Sequence, residues 1–129
     1  MYLHKLDEYL VILYDLQRYT FDDFVAHYER YGSAERFLHL AIESLFDMGC
    51  YVIGDRKLGV VSSRSDVPRI LAQAGYIDQA MQETWVRMIE FGSILTHNYL
   101  DIDQHQVYEI LQQHVADFET LKRVFVRLL

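Results

Sequence analysis

The stretch SAERFLHLAIESLFDMGCYVIGD, residues 33–55, decides what kind of fold this chain takes. Its apolar residues do not alternate, as they would along a half-buried strand; they return at spacings of three and four, the period of one helix face. Phe37, Leu40 or Ala41, Ser44, Leu45, Met48 and Val52 fall close to one stripe, which predicts a long helix with one buried side. Gly32 and Ser33 mark a break before it, with Ser33 placed to cap the new helix. Gly49 lowers helix propensity but lets another helix approach closely.

The same period extends in both directions. Upstream, Leu3, Leu6, Leu10 and Leu13 recur at three and four, with Tyr9 and Leu16 widening the face. Thr20 followed by Asp23 resembles a capping box and restarts or bends the chain before DDFVAHYERYG. Downstream, RKLGVVSSRSDVP is the one extended polar interruption, and its two valines have no partner hairpin, so a loop is expected. Ser65 or Asp66 begins a short helix, with Pro68 in its first turn and Gly75 ending it. Asp78 caps QAMQETWVRMIEFGSILTH, where Met81, Trp85, Met88 and Leu95 face inward beside Ile89. After NYLDI, Asp103 and Gln106 form another capping pair. The final helix then carries Val107, Ile110, Leu111, Val115, Phe118, Leu121, Phe125 and Leu128. The expected architecture is all-α, an antiparallel up-and-down bundle of four long helices and one short one, forming a single domain over residues 1–129.

Composition narrows the function classes. Apolar residues make up 51% of the 129, with one proline and six glycines, which excludes disordered and collagen-like chains. Cys50 stands alone, so neither a disulfide framework nor a cysteine metal cluster is expected; a buried thiol in a reducing, cytoplasmic setting is. The N-terminal MYLHKLDEYL lacks the basic and apolar regions of a signal peptide, and no run of about 18 uncharged apolar residues predicts a membrane span. A net charge of -7 argues against a broad nucleic-acid surface and leaves room for a local site or a basic protein partner. So apolar a bundle is expected to self-associate as a homodimer, through the helix from Trp85 to His97, with Gly92 as the point of close approach.

No cofactor or metal is predicted, because zinc-protease, phosphate-loop, paired-cysteine and nucleophile-elbow patterns are all missing. What chemistry there is gathers in FGSILTHNYLDID, residues 91–103. Ser93 and His97 are four apart and share a helix face. His97 and Tyr99 are two apart and can converge only if the helix stops at or before Asn98. A histidine in a last helical turn also gains from the helix dipole without doing any chemistry, and Tyr99 can serve simply as a loop anchor. His4, His27, His39, His105 and His114 have no motif around them and read as surface or boundary residues.

Three segments, SAERFLHLAIESLFDMGCYVI, SSRSDVPRILAQAGYI and MIEFGSILTHNYLDIDQHQVYEIL, resemble the HepT-like branch of the HEPN proteins, from about residue 3 to the end. The family motif is an arginine, four residues, a histidine, any residue and a tyrosine; its second half is present as His97-Asn98-Tyr99. The resemblance implies a homodimeric, metal-independent endoribonuclease toxin, with His97 in the acid–base position of a cleft shared by two protomers. It also implies a minimal nucleotidyltransferase antitoxin as partner, which adds AMP to Tyr99. Glu43 and Asp47 match acidic positions near the family's site. The arginine position is Gly92, and its neighbour, often asparagine, is Ser93. Arg87, Arg64, Arg56 and Lys57 are the other cations considered for that role. Two functions therefore remain open: an RNA endonuclease, weakened or inactive, or a non-catalytic homodimeric module that binds a nucleotidyltransferase.

Overall fold

The chain was analysed as a computed structural model, which describes residues 2–97 and 99–129, with all their side chains except those of Tyr2 and Tyr99. In chain order the helices are α1 (Tyr2–Leu16), α2 (Phe21–Ala26), α3 (Tyr28–Arg56), α4 (Asp66–Gln73), α5 (Gln79–His97), α6 (Gln104–Gln113) and α7 (Val115–Leu128), with a 3-10 turn at Tyr99–Asp101 before α6. No strand occurs among the described residues, and the all-α class holds. The bundle differs from four long helices and one short one at both ends of the chain.

At Gly32 and Ser33 there is no break. The chain is extended at His27, and α3 then runs through the glycine. Ala34 and Leu38 are fully buried just beyond it, and burial of that face outweighs the roughly 1 kcal/mol helix penalty of one glycine. The buried stripe of α3 is also wider than expected. Leu38, Ala41, Ile42, Leu45, Met48, Gly49, Val52 and Ile53 lie inside, while Phe37 stays at the edge against Tyr9. The reason is position: α3 is the central helix, packed on α1, α2, α4, α5, α6 and α7. That also explains why an 18-residue window of α3 reaches a mean hydropathy of 1.3 while serving as the core of the bundle.

The last predicted helix is two. His114 separates α6 from α7, its imidazole Nδ1 lying 2.9 Å from the Asp117 carboxylate. The apolar residues expected there nonetheless all pack inward, because each half keeps its own helical period. Three of the expected caps are in place, while Ser33 lies inside α3 and caps nothing. Thr20, Asp78 and Asp103 accept hydrogen bonds from the backbone N–H groups of Asp23, Met81 and His105. Gly75, at φ +86°, ends α4. Two side-chain amides tie the end of α1 to α6: Gln17 donates to the Leu111 carbonyl and Gln112 to the Gln17 carbonyl, both at 2.9 Å.

Two glycines set the α3–α5 seam that positions the site. A Cβ on Gly49 would overlap Val67 and stand 3.3 Å from Trp85, and a Cβ on Gly92 would stand 3.1 Å from Ile42. The close approach at Gly92 is therefore made by α3 of the same chain and not by a partner helix. Trp85, Met88 and Ile89 are buried within the chain's own core, as expected for the inward face of α5, and Phe91 is buried with them.

Candidate functional site

Gly92 lies against Ile42, and the ring tip of Trp85 reaches Gly49, so the two helices run antiparallel and, counted from the Ile42–Gly92 contact, each residue forward along α3 is matched by one residue back along α5. At about 100° per residue, the residues that follow the contact line on each helix open onto one common outer groove. From α5 this groove receives Ser93, Thr96 and His97, all exposed. From α3 it receives Glu43 and Phe46, half-buried, and Asp47, exposed. The Thr96 hydroxyl bonds the carbonyls of Gly92 and Ser93 at 3.2 Å, so it is turned back to its own helix.

α5 ends at His97 and the 3-10 turn begins at Tyr99, the condition under which the two can converge. The Tyr99 side chain, expected to be exposed beside His97, lies outside the described residues, as does Asn98. Ser93 and His97 are brought together on one face, a turn apart.

The loop between α3 and α4 reaches the other end of this groove. Arg64 pairs with Glu43, and its guanidinium lies 4.0 Å from the centre of the Phe46 ring. Desolvation and the neighbouring Glu43 push the Asp47 carboxyl above its ordinary range, partly offset by Arg64. The half-buried Cys50 thiol is raised by desolvation and by Asp47, again against the pull of Arg64, so it is neither fully buried nor activated. The loop itself hangs on Asp66, whose carboxylate accepts from the Ser62 and Ser63 backbone at 2.9 and 3.0 Å and from Arg69 at 3.1 Å. These bonds hold its pKa at about 2. Of the candidate cations, Arg64 is thus committed to Glu43, and Arg56 to the Tyr76 hydroxyl and the Leu128 carbonyl. Lys57 is exposed at the left-handed cap of α3. Arg87 lines a different cleft of about 280 Å³ between α5 and α6, with Met88, Phe91, Glu109 and His114.

Two residues of α3 carry no signal of their own in the sequence, Arg36 unremarked and His39 expected only at the surface or boundary. Arg36 and His39 precede Ile42 by six and three residues, which returns them to the side of the groove that holds Ser93 and His97. Only the pairing of α3 with α5 reveals them, since nothing near them in the chain forms a motif.

Comparison with known proteins bears on this geometry. The family model described as Ribonuclease HepT-like matches residues 2–124. The mRNA nuclease HepT of Shewanella oneidensis is 27% identical over 82 residues, 64% of this chain, and the match spans only 62% of that relative's length. The fold is similar to a tri-AMPylated HEPN toxin of Shewanella oneidensis solved in complex with its MNT antitoxin. That likeness has a TM-score of 0.89 at 20% identity, over 98% of this chain and 94% of the other. It is also similar to YutE, a cytosolic protein of unknown function from Bacillus subtilis, with a TM-score of 0.76 at 16% identity over 96% and 87% of the two chains.

Proposed function

The chain belongs to the ribonuclease HepT-like family, and on that premise we propose that it is a metal-independent RNA endonuclease, the toxin of a toxin–antitoxin pair, working in the cytoplasm as a homodimer. The observation that carries this reading is the open face at the end of α5, where Ser93 and His97 stand exposed one turn apart as the helix stops. Histidine suits the proton steps because its ordinary pKa of about 6.5 lets it hold or release a proton near neutrality. In the reaction, a ribose 2'-oxygen gives up its proton and bonds to the adjacent phosphorus. The bond to the 5'-oxygen breaks, and that oxygen takes a proton. His97 handles the proton at one of these oxygens, and Ser93 offers a hydroxyl to the phosphoryl group. RNA is the substrate and no cofactor takes part. The single domain spans residues 1–129.

The partner is a minimal nucleotidyltransferase antitoxin that adds AMP to Tyr99. The support is the tyrosine's place immediately after α5, together with the AMPylated, antitoxin-bound state of the Shewanella oneidensis toxin of similar fold. A nucleotide there would bring a phosphate's negative charge to the mouth of a phosphate-binding groove and fill it. Gly92, lacking any side chain to clamp phosphate, favours a second reading: a non-catalytic homodimeric module that binds the nucleotidyltransferase. One experiment separates the two. In excess chelator, the purified protein is expected to cut RNA and His97→Ala to cut none. A folded wild type that is silent on RNA yet binds the antitoxin supports the second reading.

A further inference from the structure

We propose that Arg36, on α3, supplies the phosphate-binding cation that the family motif lacks at position 92; the inference rests on the ribonuclease reading of the groove. α3 and α5 pack on one another and run antiparallel, with Gly92 against Ile42. Continued by equal steps, the level of His97 on α5 falls at Phe37 on α3. Arg36 is then about 1.5 Å from that level along the axis. It lies about 120° round α3 from Ile42, and His97 about 140° round α5 from Gly92. In an antiparallel pair of right-handed helices, these rotations open to the same side. Both residues are exposed there. With helix axes about 8–10 Å apart, a side chain of arginine length reaches the space in front of the imidazole. Beside Arg36, Gln104 at the start of α6 donates to the Glu35 carboxylate at 2.6 Å, so the chain that has left α5 is tied to α3 there.

The other basic residue on this face does not serve. Arg64 is held by Glu43 and Phe46, and Glu43 stands about 9 Å from the level of His97 by the same register.

The test measures cleavage of an RNA oligonucleotide in chelator by the wild type and by Arg36→Ala, Arg36→Lys and Arg64→Ala. Binding of the all-2'-deoxy oligonucleotide of the same sequence, which offers phosphates but no 2'-hydroxyl, is followed by fluorescence anisotropy. Arg36→Ala is expected to cut about 100- to 1,000-fold more slowly, the loss typical of one electrostatic donor, and to bind the deoxy strand more weakly. Its melting temperature and mass in light scattering should stay unchanged. Arg36→Lys should recover part of the rate, and Arg64→Ala should lose far less than Arg36→Ala. Wild-type cleavage by Arg36→Ala, or an equal loss in Arg64→Ala, overturns the proposal and leaves the ribonuclease reading intact. A wild type that does not cut RNA overturns that reading, and this inference falls with it.

Discussion

Placing an arginine back at position 92 tests the seam and the site together. Gly92 is buried, and the first carbon of any side chain there would stand 3.1 Å from the Cγ2 methyl of Ile42. Two effects oppose each other. Replacing a mid-helix glycine gains about 0.5–1 kcal/mol of helix stability. Forcing extra carbon into a packed seam costs about 1–3 kcal/mol. The packing term is larger, so Gly92→Arg should lose about 1–2 kcal/mol, read from urea unfolding. Ile42→Leu moves the branch away from Cβ and removes the obstructing methyl at nearly constant volume. In that background the loss should shrink by about 1 kcal/mol, a coupling of the size expected for residues in contact. Activity adds a second readout. Because Arg36 already brings a cation to the groove, Gly92→Arg should change wild-type cleavage little but restore Arg36→Ala by about a hundredfold. Equal stability losses in the two backgrounds would refute the register on which the groove is built.

The other outcomes are independent of one another. Gly49→Ala should destabilise by about 1–3 kcal/mol, because its methyl overlaps Val67. Gly54→Ala meets nothing within 4 Å and should stabilise by about 0.5 kcal/mol; thermal melts of both variants check the contrast. Asp66 has its pKa lowered from 3.8 to about 2, so its contribution is complete above pH 3.8 and disappears as pH falls through about 2. The stability gap between wild type and Asp66→Asn, from urea midpoints at several pH values, should therefore be flat above about pH 5 and narrow below about pH 4. A gap that widens on acidification would reverse the sign of that argument. Light scattering at micromolar concentration should report a mass near twice 15.3 kDa; a monomer would remove the homodimer.

What the sequence revealed depended on how local the cause was. Thr20, Asp78 and Asp103 were legible as caps because each bonds a backbone N–H two or three residues away. The end of α5 at His97 was legible for the same kind of reason, from the turn and cap that follow it. Gly32 misled because the burial of Ala34 and Leu38, a tertiary effect, carries α3 through a residue that locally reads as a break. The bend at His114 was hidden because the apolar period continues across it. Gly92 was legible as a point of close approach but not as to which helix approaches. Arg36 was illegible for a related reason: its proposed place beside His97 follows only from the register of α3 against α5. Trp85, Met88 and Ile89 were legible as an inward face because the helical period identifies a buried side, though not which helix covers it.

The central claim, that the groove at the end of α5 cuts RNA by attack of a 2'-oxygen with His97 moving a proton, is tested most directly by the chemical nature of the new ends. RNA cut by the purified protein in excess chelator should carry 2',3'-cyclic phosphates and 5'-hydroxyls by mass spectrometry, and His97→Ala should yield neither. Ends bearing 3'-hydroxyls and 5'-phosphates, which require water as the nucleophile, or the same products from His97→Ala, would contradict it.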